Sequence, residues 1–137
     1  MNGGAQTLPI MVRYGATTEA VTVTVRPAYL DDKSDPLGQR FVFAYFVRIA
    51  NGGDAEVQLL RRRWVIRDAD GAVEEVEGDG VVGQQPVLAP GEAHEYHSFC
   101  VLPTFSGTMR GDYLMERPDG ARFRAEIPEF HLRALAN

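Results

Sequence analysis

The chain has 137 residues, 45% of them hydrophobic and 24% charged, with a net charge of −5 and a pI of 5.1. That length points to one domain with room for a real core, and the acidic balance argues against a non-specific nucleic-acid surface, which needs a net basic face. The single cysteine, Cys100, excludes an internal disulfide and a cysteine-rich zinc site; with no secretory signal at Met1-Asn2-Gly3-Gly4 and no apolar run near the ~20 residues of a membrane span, the expected setting is the reducing cytoplasm.

Residues 1–16 are small and polar, and read as a flexible start; the domain proper is expected over 17–133. Val21, Val23 and Val25 alternate with Thr22, Thr24 and Arg26, the period of a half-buried strand. Pro27 cannot donate to a ladder, so that strand should lie at an edge or bend there. Residues 30–38 have loop composition.

The strongest strand runs from Arg40 to Ala50. Phe41, Phe43, Tyr45, Val47 and Ile49 share one face, while Val42, Ala44 and Phe46 make the other apolar too. Such a strand is usually central and covered on both sides. In a two-layer sandwich its second face would meet a partner or a long loop, so a homodimer through this strand is one expectation. Asn51-Gly52-Gly53-Asp54 then turns the chain.

A further strand spans Val57 to Arg67, with Leu60, Trp64 and Ile66 on one face and Arg62 among them. An arginine in an apolar stripe needs a carboxylate, a snorkelling path or a local bulge, and its favoured role is structural. Anion binding by Arg61, Arg62 or Arg63 is the competing role. Asp70-Gly71 signals a hairpin into a strand over Ala72 to Glu77.

Gly78, Gly80 and Gly83 follow at G-x-G-x-x-G spacing. A dinucleotide-binding turn requires a helix after the glycines, and Pro86 and Pro90 oppose one. Two readings remain. The glycines relieve a crowded or left-handed backbone, or the loop's N–H groups form an anion nest beside Arg62. The first is favoured.

Strands are expected over Glu92 to Leu102, with Tyr96, Cys100 and Leu102 on one face, and over Thr108 to Glu116. The last strand starts near Ala121; Phe130 and Leu132 fall on the opposite parity to Phe123, Ala125 and Ile127, so Pro128-Glu129 should shift its register. Seven or so short strands without helical periodicity describe an all-β antiparallel sandwich of the fibronectin III or immunoglobulin type.

The chain resembles the ApaG family over about Val21 to Leu132. The resemblance rests on Phe41-Val42-Phe43-Ala44-Tyr45, Val57-Gln58-Leu59-Leu60, Arg62 with Trp64, Gly71 and the stretch from Val76 to Gly83. It continues through Gln85-Pro86, Pro90-Gly91-Glu92, Tyr96, Ser98, Gly107-Thr108-Met109, Gly111, Tyr113, Gly120, Phe123 and Ile127-Pro128. Asp79 stands where the family commonly has Glu, Arg63 where it has His or Tyr, and His97 and Phe99 where it has Thr and Gly. The resemblance implies a fibronectin III-like sandwich, an association with cobalt resistance and magnesium efflux, and a gene often near one for a diadenosine tetraphosphatase. Related domains in eukaryotic F-box proteins and in a DNA-polymerase-interacting protein look like interaction modules. A likeness of the family's glycine motif to a pyrophosphate-binding loop points at Gly78, Gly80 and Gly83.

Catalysis has weak support from the residues. His94 would share a strand face with Ser98 and Cys100, but no carboxylate is placed to orient it, and His97 faces away. Glu75, Glu77 and Asp79 alternate onto one face, but neither they nor His94 with Glu95 have metal-ligand spacing, and a solvated acidic edge explains the first set better. The expectation is therefore a non-catalytic binding module for an unknown protein partner, with no cofactor and no metal. The runner-up is a binder of a pyrophosphate-containing nucleotide at Gly78, Gly80, Gly83 and Arg62, although Glu77 and Asp79 would repel phosphate there.

Overall fold

Valine-rich alternation and glycine turns produce nine strands in two facing antiparallel sheets in the computed structural model, which describes residues 12–135. Strands β1 (Tyr14–Thr18), β2 (Val21–Tyr29), β3 (Phe41–Asn51) and β7 (Ala93–Leu102) lie side by side in that order. The opposing sheet runs β9 (Arg122–Arg133), β8 (Ser106–Glu116), β4 (Val57–Asp68), β5 (Val73–Asp79). A two-residue strand β6 (Val87–Leu88) pairs with the start of β4 on the same edge as β5.

Most of the expected opening stretch, residues 1–11, lies outside the described residues. Its last residues, from Tyr14, belong to β1 and pair with Val25 and its neighbours on β2. β2 is therefore an interior strand over its valines. Pro27 sits beyond the end of β1, where β2 has only β3 beside it among the described residues, so the proline costs no ladder bond on that side. The 30–40 connection carries two short 3-10 turns, Asp31–Lys33 and Pro36–Gly38.

Inward alternation fills the core. Val21, Val23, Val25, Phe43, Val47 and Ile49 come from one sheet; Leu59, Trp64, Met109, Tyr113, Ile127 and Phe130 come from the other. Trp64 stands edge-on to Tyr45, Tyr113 and Phe130, the arrangement favoured by the aromatic quadrupole. Asn51 is the one buried polar residue among the described residues, and it is satisfied: its Nδ2 donates to the carbonyls of Ala55 (2.8 Å) and Leu88 (2.9 Å), and its Oδ1 accepts from Gly53 N–H at 3.0 Å.

Two bulges set the residue parity. One, between Ile127 and Phe130, returns Phe130 and Leu132 to the core, as Pro128-Glu129 foretold. The other falls between Leu59 and Arg61. It places Val57 and Leu59, rather than Leu60, in the interior before the bulge and Trp64 after it, with half-buried Arg62 on the same side as Trp64. One flank of the sandwich is closed by β9 against β1 and β2, with Glu126 N–H donating to Thr18 Oγ1 at 3.1 Å. β5 and β7 bound the other flank, and the glycine loop lies there.

Candidate functional site

The loop after β5 is an excursion from one edge position. Asp79 still pairs with Arg61, and Val87 resumes pairing at Gln58, so the residues between them leave the sheet and return. Four bonds, besides those of Arg62, tie the excursion to β4. Gly80 N–H (2.8 Å) and Gln85 Nε2 (3.0 Å) both donate to Leu60 O, Leu59 N–H donates to Pro86 O at 3.0 Å, and Gln58 Nε2 donates to Gln85 O at 3.2 Å. Val81, fully buried, plugs the loop into the core.

The three glycines have different tasks. Gly78 lies under the Arg62 guanidinium, and a Cβ there would stand 2.8 Å from Arg62 Nη2. Gly80 has φ +63°, and a Cβ on it would collide with the Gln84 carbonyl. Gly83 ends a tight turn in which Val81 and Gln84 exchange bonds of 2.8 and 3.0 Å. Val82 and Gly83 both have positive φ, +47° and +75°, as a type I′ turn demands. For a β-branched residue such as Val82 this is a strained conformation, and its side chain is 67% exposed. A turn and strand β6 follow the glycines where a dinucleotide site would need a helix.

Arg62 is brought against the loop, as the sequence suggested, and one of its guanidinium nitrogens is used there. Nη1 donates to Asp79 O at 2.9 Å and to Gly80 O at 3.0 Å. The N–H groups of Gly80, Val81 and Gln84 are likewise spent inside the fold. Arg62, Gly78 and Gly80 thus come together, while Gly83 sits apart at the exposed tip of the turn.

On the outer face of the same sheet the charges pair across strands. Arg61 meets Asp79 at 2.6 Å, Arg63 meets Glu75 at 2.9 Å and Asp112 at 3.5 Å, and Asp112 also meets Arg124 at 2.9 Å. The acidic row at Glu75, Glu77 and Asp79 does share a face, but two of its members are held by arginines. Among the described residues no three His, Cys, Asp or Glu side chains converge on a metal-sized site.

On the inner face, beside Arg62, lies a phenol cluster that alternation alone did not single out. Tyr96 and Tyr113 share a hydroxyl–hydroxyl bond, and Tyr45 stands opposite Ser98 in the register of β3 and β7. Burial drives all three phenols above their ordinary pKa of 10.0, and the nearby Arg62 charge opposes that only weakly. The signal available was the inward parity of Tyr45, Tyr96 and Tyr113; their pairing across sheets was not readable. His94, Ser98 and Cys100 share the inner side of β7, while His97 faces out. Ser98 lies opposite Tyr45, and burial together with the Glu74 charge pushes the Cys100 thiol up to about 11. At neutral pH that thiol is a packed, protonated group rather than a nucleophile.

A family model described as the ApaG domain matches residues 31–117. The chain is 58% identical over 119 residues to Protein ApaG of Paramagnetospirillum magneticum, covering 87% of this chain and 92% of that one. It is 56% identical over 117 residues to Protein ApaG of Anaeromyxobacter dehalogenans, covering 85% and 92%. Among solved structures, the ApaA protein of Bordetella pertussis superposes with a TM-score of 0.81 at 51% identity, covering 82% of this chain and 92% of that one.

Proposed function

The chain belongs to the ApaG family, and from that premise we propose that it works in the cytoplasm as a non-catalytic binding module for a protein partner. The observation that carries the proposal is that much of the glycine loop's hydrogen-bonding capacity is spent inside the fold. Arg62 donates to two loop carbonyls, and the N–H groups of Gly80, Val81 and Gln84 are bonded internally. Recognition then falls to the strand faces and edges, the surfaces a sandwich offers to other proteins. The protonated Cys100 also favours binding over covalent chemistry. Under this reading the family's association with cobalt resistance and magnesium efflux reaches the protein through its partner.

The competing occupant is a pyrophosphate-containing nucleotide on the Gly78–Gly83 loop. It would have to draw Arg62 from two carbonyls and sit beside the Glu77 and Asp79 carboxylates. Two measurements separate the readings. Affinity capture from the native host, with heat-unfolded chain as control, should retain a protein in stoichiometric amount with the folded chain only. Amide-resolved NMR with diadenosine tetraphosphate, with and without Mg²⁺, should show no saturable shifts at Gly78 to Gly83. Saturable shifts there with no captured protein would replace the protein partner by the nucleotide.

A further inference from the structure

The outer face of the β1–β2–β3–β7 sheet carries a cation–aromatic ladder. Arg26, Phe46 and His97 lie in one register row across β2, β3 and β7. The Arg26 guanidinium sits 4.2 Å from the Phe46 ring centroid, the Phe46 and His97 rings are 5.6 Å apart, and His97 meets the Phe99 ring edge-on at 5.8 Å. Phe46, Phe99 and Val101 are 37%, 55% and 50% exposed. Isolated exposed apolar residues are normal, but this is a continuous set on neighbouring strands, and aromatics with arginine are the side chains enriched at interface centres.

Charge says what would cover it. Arg13, Arg26 and Arg48 line a concavity with Phe46 and His97. Glu95 is the one carboxylate on the outward positions of these four strands among the described residues, and it reaches only Arg48, at 3.7 Å between exposed side chains. Arg13 and Arg26 have no ion-pair partner there among the described residues. A face left cationic on a chain of net charge −5 favours an anionic visitor. A second copy docking by a two-fold axis would bring this same arginine-rich patch against itself, which disfavours it.

We propose that this face, centred on Arg26, Phe46, His97 and Phe99, docks an acidic segment of a partner protein that carries an aromatic side chain beside its carboxylates. The proposal rests on the binding-module reading and names its surface. The aromatic side chain would pack on Phe99 and Val101 while carboxylates meet Arg26 and Arg13.

The test is an amide-resolved NMR titration of the full chain with a synthetic peptide, Gly-Ser-Asp-Asp-Phe-Asp-Asp-Ser-Gly, beside its Asn-for-Asp counterpart. The acidic peptide should give saturable shifts at Arg26, Phe46, His97 and Phe99 that weaken with added salt, and the Asn peptide should bind at least about tenfold more weakly. Arg26→Gln and Phe99→Thr should each cost about tenfold. Both positions are on the surface, and unchanged NMR dispersion would show that the variants fold. No shifts on this face, or equal binding of the two peptides, would overturn the assignment. So would concentration-dependent oligomers abolished by Phe99→Thr, since they would make a second copy the occupant. If the captured host protein is retained fully by Phe99→Thr, the binding module stands and this surface falls.

Discussion

Arg62 and Arg26 occupy opposite circumstances in one molecule. Arg62 lies over a glycine, with Nη1 donating to the carbonyls of Asp79 and Gly80, in a loop where the N–H groups of Gly80, Val81 and Gln84 are bonded internally. Arg26 lies over an aromatic ring, without a carboxylate among the described residues, on a face where three apolar side chains remain exposed. A cation whose hydrogen bonds are consumed inside the fold braces it. A cation stacked but unpaired retains capacity for a visitor. The glycine spacing drew attention to the first arginine; the chemistry of recognition is better developed around the second.

The largest effect should come from alkali, which attacks the sealed side and spares the open one. Burial raises the phenols of Tyr45, Tyr96 and Tyr113 above 10.0 and the Cys100 thiol above 9.0. The unfolded chain therefore ionises first. The stabilisation is complete below those ordinary values and is lost as pH rises through them towards the folded ones. Urea titrations should show a steep fall in stability on that side, and Tyr113→Phe should flatten the fall relative to its own value at neutral pH. An unchanged alkaline slope would show that the phenol cluster is not sealed.

Gly80→Ala comes next. Its Cβ would meet the Gln84 carbonyl from a left-handed backbone, and about 3 kcal/mol of stability should be lost. Arg62→Met removes two charge-assisted bonds and should cost about 2 kcal/mol by urea unfolding. It should leave protein binding in place; a folded Arg62→Met chain without binding would overturn its structural role. Glu77→Gln marks the small end, within about 0.5 kcal/mol, since Glu77 is exposed and outside the ion pairs that hold Glu75 and Asp79. Should Glu77→Gln prove more damaging than Gly80→Ala, the loop would not be chiefly structural.

Much of this was legible in the residues. The parity of Val21 to Val25, the two apolar faces of Phe41 to Ala50 and the register shift at Pro128-Glu129 are local patterns, and local patterns survive folding. β1 escaped because Tyr-Gly-Ala-Thr-Thr has little strand character; its pairing with β2 makes it a strand. β6 escaped because two residues between turns carry no period. The bulge beside Leu60 reversed the inward assignment there, and a bulge leaves no mark in an even run such as Leu59-Leu60-Arg61-Arg62. The nearness of Arg62 to the glycines followed from the hairpin. The direction of its bonds did not, because carbonyl orientation depends on the turn at Val82-Gly83. The Arg26–Phe46–His97 row crosses three strands distant in sequence, so only register could reveal it.

The most direct test crosses the two regions in one pair of variants. Thermal unfolding and affinity for the acidic phenylalanine peptide are measured on Arg62→Met and on Phe99→Thr beside the unaltered chain. The account predicts that Arg62→Met loses stability and keeps affinity, while Phe99→Thr keeps stability and loses affinity. The opposite pattern, with binding lost at Arg62 and retained at Phe99, would place recognition at the glycine loop and contradict it.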